Sequence, residues 1–316
     1  MPKANFFIVG APKCGTTALS QYLRNHQQIY MTTPKEPGFF SEDLPGLRYV
    51  QSLDEYDRLY RLASLTGFPA RGEASPSYLR SRVAIERIRE YNPAAKLIVM
   101  LRNPLEMLLS YHAQLVFSLY EDQTDFDTAW RLQSERAAGR CIPARCREPG
   151  LLRYREIALL GDQLERVYRV FPREQVLVVL HDEFRRDTRA VYEKALAFLG
   201  LPSDGRTDFP AVNRAKIARW AWLNRLLHTP PDWALDLLRK LSGSRLHNLA
   251  VSVHGRLNAL NSIARRPTLP GLLVRQELVA ILRPQAEKLE LLLGIKLPHW
   301  METMSVQLLQ GQQEKN

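Results

Sequence analysis

The segment that most constrains the fold is NFFIVGAPKCGTTALSQYL, in which a glycine-containing turn joins an apolar stretch to an amphipathic one. The apolar stretch is typical of a buried strand, and Thr16 begins the helix predicted after it. Backbone N–H groups around such a turn, backed by a helix N-terminus, bind phosphate. On the ATP-type pattern G-x-x-x-x-G-K-[ST], Gly10 and Gly15 fall in place, but Thr16 occupies the lysine position and Lys13 lies three residues early. The segment therefore predicts a phosphate site whose lysine is displaced into the turn.

Strand-like and helix-like segments alternate over the first two-thirds of the chain. ARGE contains the end of a predicted strand, and the near-continuous apolar runs KLIVML and QVLVVL are typical of central parallel strands. Asn103 and Pro104 follow KLIVML as a natural N-cap and first helical residue. Alternating strands and helices indicate βαβ units with right-handed crossovers. The predicted fold is an α/β, P-loop-type three-layer domain with a central parallel sheet and a helical C-terminal extension.

The chain changes character after about Phe209. Residues 206–275 hold twelve Lys and Arg against three Asp and Glu, together with three tryptophans. This composition predicts a basic, amphipathic, helical region without strands, and a final helix follows over about 274–293. We therefore divide the chain into a core over 1–210, a basic helical extension over 211–304 that completes the same domain, and a disordered tail over 305–316.

Charge and hydropathy narrow the partners of the chain. Its 316 residues carry a formal net charge of +11, which indicates an anionic partner. No aromatic-interleaved basic platform or recognition-helix motif occurs, so we expect no nucleic-acid partner.

The basic region 214–275 could cap a nucleotide, shape an acceptor cleft or rest on an anionic membrane. The cleft is the favoured role, packing or a homodimer comes next, and membrane contact is not favoured. With no signal peptide and no apolar run of ~20 residues, we expect a cytoplasmic protein.

The cysteine pattern indicates neither a disulfide scaffold nor a zinc site. Cys14 lies inside the loop, and Cys141 and Cys146 frame the segment CIPARC. Oxidation of the last two would close a small loop, and the sequence leaves this open, although two reduced thiols are favoured. Neither cysteine has the additional His or Cys neighbours that zinc requires. We therefore expect no metal at the site.

Other candidate positions combine a strand end or a turn with a chemically useful side chain. Arg102 ends KLIVML, where ligands of open α/β sheets gather, and Ser110 lies two helical turns later; Arg102 could equally pair with an acid. Glu36, in TPKEPGFFSED, precedes Pro37 and two phenylalanines, so it could be a general base or part of a solvated turn. Asp182, after QVLVVL, could imitate the acidic residue of an ATP–Mg²⁺ site, although capping of the next helix is favoured.

Together these segments resemble the sulfotransferases that use 3′-phosphoadenosine 5′-phosphosulfate (PAPS). The 5′-phosphosulfate loop of that family reads P-K-x-G-T-T, which residues 12–17 match. Its 3′-phosphate element is an apolar strand followed by R-N-P and a helical serine, which IVMLRNPLEMLLSY matches. KEPGFF is similar to the K-E-x-x-F-F segment of the carbohydrate (heparan-type) branch, and GEASPSYL and FLGLP also match family patterns. The resemblance covers about residues 5–215.

The resemblance implies in-line transfer of a sulfuryl group from PAPS to a hydroxyl of a carbohydrate or small-molecule/lipid acceptor, without a metal. It implies that Glu36 is the catalytic base and that Lys13 stabilises the leaving phosphate. The implied nucleotide contacts are Lys13, Cys14, Gly15, Thr16 and Thr17 in the loop, with Arg102 and Ser110 at the 3′-phosphate. The residues expected to border the acceptor are Lys35, Phe39, Glu73 and Tyr78, the last two with a purely structural role left open.

The sequence also departs from the heparan-type branch. That branch has a histidine, an acidic residue and a lysine where Gly38, Ser41 and Ala74 stand, so a heparin-like acceptor is not favoured. The chain is more similar to the heterogeneous bacterial-type sulfotransferases, whose acceptors vary. Two other functions stay open: an ATP-dependent small-molecule kinase that needs Mg²⁺ and Asp182, and a non-catalytic nucleotide-binding protein that tolerates the loss of Glu36.

Overall fold

A computed structural model describes residues 3–210, 212, 216–228, 253, 256–257, 260–264 and 268–300. Much of the predicted basic region, including Trp233, and the whole predicted tail over 305–316 lie outside the described residues. The chain divides into two units. The first consists of Met1–Leu108, Arg153–Val212 and Pro270–Asn316, and the second of Leu109–Leu152 and Asn213–Leu269.

The first unit is built on a five-stranded parallel sheet with the strand order β2–β3–β1–β4–β5. The predicted strands NFFIVG, ARGE, KLIVML and QVLVVL are confirmed as β1, β3, β4 and β5. The sequence did not predict β2, because a strand of three residues is too short to show an apolar period. The strands are Phe6–Gly10 (β1), Ile29–Met31 (β2), Ala70–Glu73 (β3), Lys96–Leu101 (β4) and Val176–Leu180 (β5).

Helices flank this sheet and also form most of what is described of the second unit. The helix α6 begins in the first unit and continues into the second, to which α7, α8 and α13 belong. In chain order the helices are Thr16–Arg24 (α1), Leu53–Arg58 (α2), Arg61–Thr66 (α3), Ser77–Arg80 (α4), Ala84–Tyr91 (α5), Pro104–Phe117 (α6), Phe126–Arg131 (α7), Gln133–Ala137 (α8), Tyr154–Ala158 (α9), Leu160–Val170 (α10), His181–Arg186 (α11), Thr188–Leu199 (α12), Ala221–His228 (α13) and Leu272–Leu293 (α14).

The helices of the first unit form two layers. The helix α1 packs against α12, and α10 packs against α4, α5 and α14. Crossovers between parallel strands are right-handed, so the leftward connection through α1 and the rightward connection through α5 lie on opposite faces of the sheet. The predicted three-layer α/β, P-loop-type architecture is confirmed.

The strand order places a crevice between β1 and β4. The chain leaves β1 towards β2 at one edge of the sheet, and it leaves β4 towards β5 at the other. Adjacent strands whose connections diverge in this way leave a gap outside their carboxyl ends, where ligands of open α/β sheets bind. The loop after Gly10 and the Arg102 side chain are therefore at the topological switch point.

Local signals in the sequence set several helix ends correctly. The Asn103 side-chain oxygen accepts hydrogen bonds from the N–H groups of Leu105 and Glu106, which confirms it as the N-cap of α6. Gly200 and Gly294 adopt left-handed backbone conformations directly after α12 and α14, as a helix-ending glycine does. Local backbone chemistry alone decides these boundaries, which is why the sequence reveals them.

The second unit contains two features that the sequence did not indicate. Arg136 and Glu121 form a fully buried ion pair in which both guanidinium Nη atoms donate to the carboxylate. Lys216–Ala218 (β6) and Ser262–Ala264 (β7) pair as antiparallel strands, so the prediction of a region without strands is wrong. Each strand has three residues and is separated from its partner by more than forty, so no local period announces the pair.

Cys14, Cys141 and Cys146 are free thiols, in agreement with the favoured interpretation of the sequence. Within the described parts of the chain, no helix combines the length and the apolar character needed to cross a bilayer.

The segment after α14 docks on α11 through Trp300. Its side chain is fully buried, and its indole N–H donates to the Asp182 carboxylate at 3.0 Å. We predict that Trp300→Ala lowers the free energy of unfolding by about 3–5 kcal/mol, the usual cost of truncating a buried tryptophan. Urea unfolding measures this, with His299→Ala as the control.

His299 donates to the same carboxylate, but its side chain is half-exposed. His299→Ala should therefore lower the free energy of unfolding by less than about 1 kcal/mol. Equal effects of the two substitutions would contradict the assignment of Trp300 as the anchor of this segment.

Candidate active site

The loop between β1 and α1 has the backbone of an anion site. Lys13 and Gly15 both adopt left-handed conformations, with φ of 62° and 93°. Gly15 is the N-cap residue of α1, no side chain caps that helix, and its first turn holds no acidic residue. The first N–H groups of a helix lack intrahelical acceptors, and the helix dipole places partial positive charge there. The loop is therefore suited to hold an anionic oxygen cluster.

Gly15 must be a glycine for two reasons. Its φ of 93° is strained for any residue with a side chain, and an added Cβ would lie 3.1 Å from the Phe184 ring and 3.3 Å from the Met100 methyl group. A side chain at this position would therefore have a strained backbone and would require Phe184 or Met100 to shift.

Three cations converge on this loop. Burial is the largest factor that lowers the pKa of Lys13, and the nearby charges of Arg102 and Lys35 lower it further. Like charges that lower one another's pKa repel, so an anion among them would remove an unfavourable interaction as well as add a favourable one. The electrostatics of the site therefore fit a ligand with more than one negative charge.

Arg102 lies at the end of β4, as the sequence predicted, and reaches the loop. Its Nη1 donates to the Lys13 carbonyl at 3.4 Å, and its Nη2 donates to the Glu106 carboxylate at 2.8 Å. The sequence left two roles open for Arg102, pairing with an acid or facing an anion site. The structure shows both contacts, because Arg102 pairs with Glu106 in the first turn of α6 and also reaches the loop. Ser110 is buried on α6 but belongs to the second unit, so its contact with the same anion stays a prediction.

Lys35 contacts both the first turn of α1, directly after the loop, and Glu36. Its Nζ donates to the Thr17 hydroxyl at 3.1 Å and lies 2.6 Å from the Glu36 carboxylate. The Lys35 side chain is 20% exposed and that of Glu36 is 55% exposed, so the carboxylate faces solvent from a fixed point beside the loop. Lys35, which was predicted to border the acceptor, thus places Glu36 next to the loop.

The other predicted loop residues are present in the expected segment. Thr16 is buried at the start of α1, and the Cys14 thiol is buried with its Sγ 3.4 Å from the Pro12 carbonyl. Burial raises the pKa of Cys14 to about 12, so the thiol stays protonated at neutral pH. Cys14 can therefore contribute its backbone to an anion site but not a thiolate nucleophile.

The predicted acceptor residues Glu73 and Tyr78 are fully buried. Glu73 ends β3, and its carboxylate accepts hydrogen bonds from the hydroxyls of Tyr56, Ser75 and Tyr78. Burial is the main factor that raises the pKa of Glu73, to about 7, against the opposing effect of these donors. Direct contact of either side chain with an acceptor stays a prediction, whereas their contacts with one another are a structural fact.

Phe39 is partly exposed and lies in an aromatic cluster. Its ring stacks on Tyr56 with centroids 5.0 Å apart, and the Arg48 guanidinium lies 5.4 Å from its centroid. Since Phe39 is three residues after Glu36, the exposed face of this cluster lies in the same segment as the carboxylate. Its role at the acceptor stays a prediction.

His181 is a second polar residue at the strand end beside Arg102, and no sequence pattern singled it out. Leu101 and Leu180 are register partners in β4 and β5, so Arg102 and His181 are neighbours at the carboxyl edge of the sheet. Burial, and after it Arg102, lowers the pKa of His181 to about 4, so the ring is neutral at neutral pH. Its Nδ1 is buried without a hydrogen-bond partner. Applying the strand-end rule to QVLVVL as well as to KLIVML would have found it.

The favoured assignment of Asp182 as a helix cap is wrong. The residue before α11 is Leu180, no side chain caps the helix, and Asp182 lies within its first turn. The Asp182 carboxylate instead accepts hydrogen bonds from His299 and Trp300, more than a hundred residues away. Long-range docking of the C-terminal segment therefore occupies the acid that a local rule assigned to capping. In the described residues, no group of His, Cys, Asp and Glu side chains is arranged to hold a metal ion.

Comparisons with known proteins agree with this geometry. A family model described as Sulfotransferase domain matches residues 3–213. The chain is 28% identical over 215 residues to human bifunctional heparan sulfate N-deacetylase/N-sulfotransferase 3, which covers 64% of this chain and 22% of that protein. It is 25% identical over 247 residues to mouse carbohydrate sulfotransferase 15, covering 62% of this chain and 44% of that protein.

The crystal structure of a sulfotransferase from Alicyclobacillus acidocaldarius is similar over nearly the whole chain. It aligns with a TM-score of 0.67 at 29% identity, covering 95% of this chain and 99% of that one. The chain therefore spans only about a fifth of the human protein and almost the full length of this bacterial one.

The burial of Glu73 predicts a pH dependence of stability. Between its ordinary pKa of 4.5 and its folded-state pKa of about 7, the unfolded chain releases the proton while the folded chain keeps it. Stability must then fall as pH rises through this window. We predict that wild type loses roughly 2–4 kcal/mol relative to Glu73→Gln between pH 4.5 and 7.5, measured by urea unfolding. A constant difference, like that expected for the exposed control Glu90→Gln, would contradict this.

Proposed function

The chain belongs to the sulfotransferase domain family, and from this premise we propose the reaction and the residues that perform it. The reaction transfers a sulfuryl group from PAPS to a hydroxyl of a carbohydrate, small-molecule or lipid acceptor, leaving a sulfate ester and 3′-phosphoadenosine 5′-phosphate (PAP). The observation that carries the proposal is the position of Lys35, whose ammonium contacts both the Thr17 hydroxyl, in the first turn of α1 after the anion loop, and the Glu36 carboxylate. Donor site and base are thereby adjacent.

The loop holds the 5′-phosphosulfate in this proposal. The uncapped N-terminus of α1 supplies N–H donors, and Lys13 supplies a full positive charge from within the turn. When bound, PAPS supplies a sulfuryl group attached to a phosphate that departs with PAP. The three sulfuryl oxygens share one negative charge, so one loop lysine is enough to stabilise the charge that develops on the departing oxygen. This accounts for the displaced lysine without a metal.

Arg102 binds the 3′-phosphate and thereby distinguishes this donor from ATP. Its guanidinium already faces the loop at the carboxyl edge of β4, and His181 stands beside it as a second polar group at the end of β5. Ser110, two turns into α6, completes the contact. The neutral His181 ring has one N–H to donate, and its partnerless Nδ1 makes a hydrogen bond there favourable.

Glu36 takes the proton of the acceptor hydroxyl. Its carboxylate is the acidic group that Lys35 holds beside the loop, and its exposure leaves it open to an acceptor. Phe39 and Lys35 border the acceptor in the same segment. A carbohydrate is the first class to test, because two relatives carry heparan sulfate and carbohydrate in their names. Glu73 and Tyr78 border the acceptor only from beneath the surface, since both are fully buried.

The alternative functions are less well supported. An ATP-dependent kinase would need Asp182 for Mg²⁺, yet that carboxylate is engaged with His299 and Trp300. A non-catalytic nucleotide-binding protein would have no use for an exposed carboxylate fixed beside the anion loop. The family match and the similar bacterial structure both favour the transferase.

We also propose a cytoplasmic reaction, which the three free thiols support, because reduced cysteines are typical of reducing compartments.

The basic extension contributes to the acceptor cleft in this proposal. A homodimer or a membrane contact through the same region is the alternative, and the exposed Trp220 and Leu260 are consistent with either. Size-exclusion chromatography with light scattering and vesicle sedimentation separate these cases.

Arg102 tests the donor assignment. We predict that wild type binds PAP in EDTA without needing a metal, and that Arg102→Ala weakens PAP binding by about 1.5–3 kcal/mol, the scale of one charge-assisted contact. Isothermal titration against PAP and ATP measures both affinities. The control Arg169→Ala removes an exposed arginine on α10 that pairs with Glu165. Tight binding of ATP without binding of PAP would refute the sulfotransferase assignment.

Glu36 tests the catalytic assignment. We predict that Glu36→Gln lowers turnover roughly a hundredfold or more, as loss of a general base does, while PAP affinity stays nearly unchanged. Labelled PAPS and three acceptors measure turnover: unsulfated heparosan, galactosylceramide in vesicles and 4-nitrophenol. The control Glu90→Gln removes an exposed carboxylate on α5. Near-normal turnover of Glu36→Gln would assign the base to another residue, and the acceptor that is sulfated defines the substrate class.

A further inference from the structure

Glu73 lies at the centre of a buried hydrogen-bond network that reaches the segment carrying Glu36. Its carboxylate is fully buried at the end of β3 and accepts three hydroxyl hydrogens, from Tyr56 at 2.7 Å, Ser75 at 2.6 Å and Tyr78 at 3.0 Å. A buried carboxylate is costly unless it is well hydrogen-bonded, so this arrangement is specific to the site.

Two of these hydroxyls relay the contact to backbone. The Ser75 oxygen accepts the N–H of Gly38 at 3.3 Å, and the Tyr78 oxygen accepts the N–H of Phe40 at 3.4 Å. A hydroxyl has one hydrogen, and in both residues that hydrogen is directed at Glu73. The lone pairs of both oxygens are therefore turned towards the two backbone N–H groups. The carboxylate thus sets the direction of two hydrogen-bond chains that end in the Glu36 segment.

The same segment is anchored on its other side. The Lys35 carbonyl accepts the N–H of Ala74, and the Pro37 carbonyl accepts the N–H groups of Tyr49 and Val50. Backbone on both sides of Glu36 is therefore fixed, although the Glu36 side chain itself is 55% exposed. Only side-chain rotation is left to move the carboxylate, and Lys35 limits that rotation.

We propose that Glu73 is a positioning residue of the transfer reaction, holding the Gly38–Phe40 backbone through the hydroxyls of Ser75 and Tyr78 and so fixing Glu36 beside the anion loop. This rests on the proposed role of Glu36 as the base. A general base must lie within hydrogen-bond reach of its proton, and a displacement of about 1 Å costs roughly a hundredfold in rate. An exposed base on a turn therefore needs a rigid support beneath it.

The structure offers a matched control within the same network. Tyr56 donates to the same Glu73 oxygen as Tyr78 does, and at a shorter distance. The other hydroxyl neighbour of Tyr56 is Tyr60, at 3.2 Å, and not the backbone of the Glu36 segment. Tyr56→Phe and Tyr78→Phe therefore each remove one hydrogen bond from one carboxylate, but only the second removes a relay.

The experiment compares four variants with wild type: Glu73→Gln, Ser75→Ala, Tyr78→Phe and the control Tyr56→Phe. Amide hydrogen exchange at pH 8, where Glu73 is ionised, reports on Gly38 and Phe40 directly. Slow transfer to water, followed as labelled sulfate released from PAPS, reports on Glu36 without any need to know the acceptor. PAP titration checks that the donor site is intact.

We expect Ser75→Ala and Tyr78→Phe to raise exchange in the Glu36 segment roughly tenfold over Tyr56→Phe, since one hydrogen bond is lost from it. Turnover should fall roughly ten- to hundredfold with PAP affinity within about twofold of wild type. Glu73→Gln should show both effects together. If Glu73→Gln fails to fold, the two relay variants, each lacking one hydroxyl, still decide the outcome.

If amide exchange and turnover in Ser75→Ala and Tyr78→Phe are the same as in Tyr56→Phe, the positioning role is wrong. Failure of the proposed function shows differently: wild type would release no sulfate, or Glu36→Gln would release it at the wild-type rate. Raised exchange with unchanged turnover in the relay variants would also reject the proposal, because the network would then be structural only.

Discussion

Concentrated positive charge at the carboxyl edge of β1 and β4 is the constraint on which the site depends. Arg102 and Lys35 both lower the pKa of Lys13, and the uncapped end of α1 adds to the same potential. Two of the three cations find glutamates as partners: Arg102 pairs with Glu106, and Lys35 with Glu36. Both carboxylates are about half-exposed, so an anionic ligand can take their place without leaving a buried charge behind. In the proposed reaction the donor would relieve the repulsion and compete with Glu36 for Lys35, which links donor binding to the availability of the base.

The sequence predicted those parts of the fold and site that local chemistry decides. The glycine-containing turn between β1 and α1, the cap at Asn103 and the helix end at Gly294 each depend on a few consecutive residues whose backbone preferences are strong. The central strands were predictable because a strand buried on both faces is almost continuously apolar. Arg102 followed from the strand-end rule, which holds because connections diverge at the switch point between β1 and β4. Within this set, short-range patterns and topology agree.

Contacts between distant residues account for what the sequence did not predict. Asp182 has the chemistry of a capping residue but lies inside the first turn of α11, and its carboxylate accepts a hydrogen bond from Trp300, far along the chain. The strands β2, β6 and β7 have three residues each, so their pairing and not their period defines them. Lys35 was predicted at the acceptor because its neighbours suggested it, whereas its contact with Thr17 depends on how the segment folds back onto α1. A sequence motif identifies which side chains are present, but only the tertiary fold decides which of them meet.

Glu73 shows how such a long-range arrangement can conflict with stability and still be useful. Burial raises the pKa of its carboxyl to about 7, so the ionised form that accepts three hydroxyl hydrogens is held at a cost to folding. A hydrophobic residue in its place would avoid that cost but would leave the hydroxyls of Ser75 and Tyr78 without a direction, and with them the backbone of the Glu36 segment. The neighbouring Lys35 and Glu36 are partly exposed and cannot supply this rigidity themselves. In the proposed reaction, exposed Glu36 and buried Glu73 are therefore complementary: Glu36 needs access to an acceptor, and Glu73 holds the backbone that carries it.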